Sequence, residues 1–315
     1  MPDWSELYQK IKREKSPQDK IRRGLIKSLA SLTKRNVILY YSGWLQKPHL
    51  QGKIEFGISD ADKTGFMTVI HNMDRTKGVD LILHTPGGDM AATESIIEYL
   101  RSMFSTDIRA IVPQMAMSGG AMIACSCSQI VMGNQSSIGP FDPQINGIPC
   151  QAILKDLEKA VQEIGANNIN AYKWQPVIQK YPLGFFSHCE QASLMAEEVV
   201  RKNLESCMFK DLDPEIKKIK INGILEKLGS NAETKMHARH ISKQYAKDCG
   251  LEIVDLESDQ KLQEAVLSVH HACILTFEQS LATKIIENQN GKSYISMCPP
   301  NPSYGAPLAQ YPPLF

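Results

Sequence analysis

Two short segments about thirty residues apart end in glycine pairs: Leu81-Ile82-Leu83-His84-Thr85-Pro86-Gly87-Gly88 and Ile111-Val112-Pro113-Gln114-Met115-Ala116-Met117-Ser118-Gly119-Gly120. Each runs from an apolar, strand-like stretch through its glycines into a helical pattern. Two strand ends that open onto glycine-led turns can set backbone N–H groups beside one serine hydroxyl, which is what an acyl-transfer site requires. Ser118 is therefore the candidate nucleophile, and Gly88 and Gly119 are the candidate donors to an oxyanion. Gly87 and Gly120 complete the pairs as candidate substrate-binding positions, with Gly87 also serving the turn. A serine hydroxyl is a weak nucleophile and needs a nearby base. No histidine follows Ser118 until His188.

The elements that must position these residues alternate. Asn36–Tyr41, Leu81–His84, Ile108–Val112 and Gln129–Met132 have the apolar character of strands. Helical patterns fill the intervals: Asp60–Met73, Ala91–Phe104 and a short Gly119–Cys125. Alternation at this spacing predicts an α/β fold with a mainly parallel sheet covered on both faces, whose carboxyl edge carries the site. The second half is expected to be mostly helical. Ser187-His188-Cys189-Glu190 fits a capping box opening a helix to about Met208, Asp213-Pro214 starts the next, and Glu257–Asn288 has the pattern of one long helix.

Lys and Arg number 35 and Asp and Glu 34, a net charge of +1 that offers no global field for nucleic acid or an anionic membrane. Residues 1–35 nevertheless hold ten basic against four acidic side chains, and are expected to form a basic, solvated helical arm. The main domain is then 36–290, followed by a Pro-rich tail over 291–315. Eight scattered cysteines, with no Cys-x-x-Cys pair, favour reduced thiols over disulfides or a zinc site. The absence of a leader or a transmembrane stretch in the sequence makes a cytoplasmic protein the expectation.

Thr85-Pro86-Gly87-Gly88 and Met117-Ser118-Gly119-Gly120 together resemble the signature of the Clp protease, signal peptide peptidase A and crotonase superfamily. The continuation Ser136-Ser137-Ile138-Gly139-Pro140-Phe141-Asp142-Pro143-Gln144 is similar, more narrowly, to the serine dehydrogenase proteinase family in the signal-peptide-peptidase-like group. The resemblance spans roughly residues 35–290. It implies a Clp protease/crotonase-like fold of repeated β-β-α and β-α units with a helical C-terminal portion, and a serine peptidase that is a homo-oligomer with no cofactor. Clp-type proteases place a histidine about 25 residues after the serine, where this chain has Asp142-Pro143-Gln144. Signal-peptide-peptidase relatives use a lysine instead, which accepts a proton only when burial depresses its pKa. The corresponding position falls on Lys155, with Ile153, Leu154 and Leu157 nearby; Lys159 and Lys173 are the alternatives.

The expected function is thus peptide-bond cleavage through an acyl-enzyme on Ser118, with extended or unfolded peptide as substrate. A crotonase-type acyl-CoA enzyme is disfavoured because no Glu stands beside either glycine pair. A catalytically weak oligomeric scaffold is the alternative from another class. His237 and His240 lie at i, i+3 without a third ligand, His84 precedes the glycine turn, and one of His270-His271 is expected to be packed.

Overall fold

A strand buried on both faces reads as an unbroken apolar run, and Asn36–Ser42 (β1) and Val79–His84 (β2) are buried at every residue. In the computed structural model, which describes residues 18–145, 147–229 and 239–299, these strands form the middle of a seven-stranded sheet. With Ile108–Val112 (β3), Gln129–Met132 (β5), Ile253–Asp255 (β10), Ala282–Asn288 (β11) and Ser293–Met297 (β12), the order is β10-β5-β3-β2-β1-β11-β12. The first five strands in that order run parallel, and β11 and β12 close the edge in antiparallel fashion. Register puts Leu39, Ile82, Ile111 and Val131 in one row across four strands.

That row belongs to a core completed by Gln18–Thr33 (α1) and Gln260–Gln279 (α10). On the opposite face, Tyr40, Leu81, Leu83, Ala110 and Val112 pack in the larger core with Asp60–Ile70 (α2), Met90–Phe104 (α3) and Gly119–Cys125 (α4). A small second sheet of Met115–Ala116 (β4), Ser137–Ile138 (β6) and Ile241–Ser242 (β9) stands beside the carboxyl edge. A hairpin of Gln144–Ile145 (β7) and Ile148–Pro149 (β8) leads into Cys150–Ala166 (α5), Ala171–Ile178 (α6) and Phe185–Asn203 (α7). Pro214–Gly229 (α8) and Lys243–Cys249 (α9) follow. Among the described residues, no helix is long and apolar enough to cross a membrane, and all eight cysteines are free and buried.

Four expectations are corrected. The basic arm is solvated on only one face over 18–33: Lys20, Arg23 and Lys27 are exposed, but Ile21, Arg22, Ile26 and Leu29 are buried, and Arg22 donates from Nε to Glu287 at 2.6 Å and from a terminal guanidinium nitrogen to Thr276 at 2.9 Å. Residues 1–17, the rest of the arm, lie outside the described residues. The long helix ends at Gln279, because Ser280 takes up extended backbone, and the β-branched Thr283, Ile285 and Ile286 continue as β11. The start of the tail is likewise structured, since β12 pairs with β11; residues 300–315 and His237 are outside the described residues. At the start of α7, Gly184 in the left-handed region takes the cap position expected for Ser187.

Candidate active site

β2 and β3 end side by side, and the chain beyond each is stitched to the other. Thr85 N–H donates to the Met115 carbonyl at 3.1 Å and Met117 N–H to the Thr85 carbonyl at 3.0 Å. The two glycine turns consequently touch: a Cβ on Gly87 would lie 2.6 Å from the Ser118 Cβ and 2.7 Å from the Met117 carbonyl oxygen. Gly120 has no room for a side chain either, with Thr85 Cγ2 only 2.5 Å from an added Cβ, and a Cβ added to Gly119 would lie equally close to Thr93 Oγ1 on α3. Gly87, at φ +94°, and Gly120 therefore let two turns and a helix approach. Neither lines the cavity at Ser118, so the structure does not place them as substrate contacts.

Ser118 stands at the N-cap of α4 with φ +48° and ψ −115°, a conformation that L residues rarely adopt and that costs on the order of 1–3 kcal/mol. The surroundings hold it there. The Ser118 carbonyl accepts from the N–H groups of Ala121 at 2.8 Å and Met122 at 3.1 Å. Behind it, Gly139 N–H donates to the Ala116 carbonyl at 3.0 Å, and a Cβ on Gly139 would lie 2.8 Å from the Ser118 nitrogen. The Ser-Ile-Gly block is thus the backing of the serine turn. Among the described residues the N–H groups of Gly88 and Gly119 donate to no other protein group, while Gly88 is clasped on both sides by Ile58: Ile58 N–H donates to the Gly87 carbonyl at 2.7 Å and Asp89 N–H to the Ile58 carbonyl at 2.9 Å.

Ser118, Gly88 and Gly119 open together on a cavity of about 580 Å³. Its walls include Met90, Met122, Phe141, Pro143, Ile145 and Met195, with Asp89 and His188 as the titratable side chains. Asp89 is occupied as the cap of α3, accepting from Ala92 N–H at 2.8 Å. His188 belongs to an α7 stripe, His188, Gln191, Ala192 and Met195, that faces the cavity with helical spacing. As the first histidine after Ser118 it is visible in the sequence, but it sits in a segment that reads as a helix cap; the stripe is the signal that separates it from one.

The structure does not bring the candidate lysines to this cavity. Lys155 is exposed on α5 and is absent from the walls. Its apolar neighbour Ile153 points instead into a cluster with Cys150 and Cys189, because α5 buries its opposite face against α7. Lys159 and Lys173 are also exposed and both reach Glu163. His84 is fully buried on the far face of the sheet, against Trp44, Tyr41 and His270, and burial pushes it down to about 3, partly offset by the Met115 carbonyl. His240 contacts Ser137 Oγ at 3.1 Å, and among the described residues no group of three or more His, Cys, Asp or Glu is arranged to hold a metal.

A parallel sheet whose carboxyl edge presents two meeting glycine turns and a serine at positive φ defines a ClpP-like fold. Residues 52–170 match the family described as ClpP-like SDH-type serine proteinase, which places this segment, with both glycine pairs and Ser118, in the serine dehydrogenase proteinase family. Lys155 lies within the matched segment and His188 beyond it. Two uncharacterized proteins of Methanocaldococcus jannaschii are also similar. MJ0137 is 36% identical over 102 residues, 32% of this chain and 35% of that protein. MJ1495 is 42% identical over 77 residues, 24% of this chain and 26% of that protein. The chain thus spans about a third of the length of the first of these relatives and about a quarter of the second.

Proposed function

We propose that this protein is a serine peptidase in which Ser118 attacks a peptide carbonyl, Gly88 and Gly119 stabilise the tetrahedral oxyanion, and His188 takes and returns the proton. The observation that carries the proposal is the meeting of the two glycine turns at Ser118, with two unengaged N–H groups at the floor of a largely apolar cavity. Each such donor is typically worth ~2.7–4 kcal/mol in the transition state. We assign the base to His188 because it lines the same cavity and Asp89 is committed to its helix. The acyl-enzyme formed on Ser118 is released by water, with the same imidazole as base. An apolar cavity of this size suits an extended peptide with a large apolar side chain.

The test is hydrolysis of fluorogenic peptides by wild type, Ser118→Ala, His188→Gln and Lys155→Ala. Ser118→Ala is expected to fall to background and His188→Gln by about 10²- to 10⁴-fold, the usual share of a general base. Lys155→Ala is expected to stay within about twofold, as for an exposed side chain outside the site. Activity lost in Lys155→Ala but kept in His188→Gln would return the role to the lysine. Full activity in Ser118→Ala would remove the peptidase reading and leave a scaffold.

A further inference from the structure

We infer that Lys284, from the antiparallel strand β11, is a positioning residue for the oxyanion turn; the inference rests on the reading of Gly88 as an oxyanion donor. Lysine within a buried strand needs explaining. Its ammonium is almost wholly buried and has three donors, and all are used: one to the Gly57 carbonyl at 2.7 Å and two to the carboxylate oxygens of Asp62 at 2.8 Å each. Asp62 is itself fixed, accepting from Tyr40 Oη at 2.8 Å and from Ser59 N–H at 2.9 Å at the start of α2.

The Gly57 carbonyl is a point on a strap, Gly57-Ile58, that runs directly beneath the glycine turn. Ile58 pairs with both flanks of Gly88, and a Cβ on Gly57 would come within 3.1 Å of the Gly87 oxygen and the Gly88 Cα. A second tether, Ser42 Oγ donating to the Phe56 carbonyl at 2.7 Å, ties the same strap to β1. Force is therefore carried from the sheet through Lys284 to Gly57, from Ile58 to Gly87 and Asp89, and so to the direction of the Gly88 N–H. A turn of glycines has little stiffness of its own. A displacement of about an ångström at a donor is enough to cost up to about 100-fold in rate.

Removing Lys284 alone would strand the Asp62 charge, which destabilises the fold whatever the role of the lysine at the turn. The decisive variant is Lys284→Met with Asp62→Asn, which removes both charges at similar volume and leaves Tyr40 and Ser59 an acceptor. For this double variant with a wild-type melting temperature, fluorophosphonate labelling of Ser118 and kcat for a peptide are expected to fall about 10- to 100-fold. KM is expected to hold. Amide exchange should quicken in peptides covering residues 57–60 and 86–90 but not in α10. Labelling at the wild-type rate, or unchanged exchange in those two peptides, would overturn the positioning role alone. A wild-type chain that takes no label would overturn the peptidase proposal, and the positioning role with it.

Discussion

Replacing Gly88 by alanine is expected to lower fluorophosphonate labelling of Ser118 by at least about 100-fold, the scale set by loss of one oxyanion donor. The reason is steric. The added Cβ would lie 2.0 Å from the Ile58 nitrogen and 2.5 Å from its carbonyl oxygen, and these are backbone atoms that cannot rotate aside. Either the strap or the turn must move, and both hold the Gly88 N–H in place. Gly52→Ala is the control: it shares a left-handed backbone, φ +75°, but an added Cβ there meets nothing within 4 Å. That variant is expected to lose roughly 1–2 kcal/mol of stability from backbone strain and to label normally. Second-order labelling rates and melting temperatures decide the matter; wild-type labelling of a folded Gly88→Ala protein would exclude Gly88 as a donor.

The second large effect is on stability in acid. His84 and His270 are buried with ring centroids 5.3 Å apart, His84 lowered to about 3 by burial and His270 also lowered, by burial and then by its histidine neighbours. The groups facing them are Tyr41, whose hydroxyl lies 3.3 Å from His270 Nδ1, His271 and Trp44, none of them a carboxylate. Histidine in the unfolded chain titrates near about 6.5, so between there and about 3 the unfolded state binds protons that the folded state excludes. Stability is fully present above about pH 6.5 and drains away as pH falls, by about 1.4 kcal/mol per pH unit for each histidine. By about pH 4.5 His84 alone withdraws roughly 2.7 kcal/mol, a large part of what a domain has. Urea unfolding from pH 7 to 4.5 should show this slope, and His84→Phe should flatten it by about one proton. An unchanged slope in His84→Phe would show that the imidazole does not govern it.

The parallel strands and the glycine turns were legible because each is a local pattern: unbroken apolar runs, then glycines where two backbones must come within van der Waals contact. Ser118 followed from its neighbours. What was not legible depends on partners far along the chain. Arg22 looks like one more charge in a basic arm, but Glu287 and Thr276 draw it into the core. The run from Glu257 to Asn288 keeps a helical spacing past Gln279, and only pairing of β11 with β1 decides that its last residues are a strand. Lys284 lay hidden in that run, since nothing nearby in sequence announces its contact with Gly57 and Asp62. The lysine expectation met the same limit: the resemblance pointed to Lys155, but its place relative to Ser118 depends on how α5 packs against α7, which leaves Lys155 exposed and outside the cavity walls that include His188.

The most direct test of the central claim, that Ser118 is an activated nucleophile, is intact-mass spectrometry of the wild-type chain and Ser118→Ala after exposure to a fluorophosphonate. The account predicts one adduct per wild-type chain, mapped to Ser118, and none on Ser118→Ala. An unmodified, folded wild type, or an adduct that persists in Ser118→Ala, would contradict it.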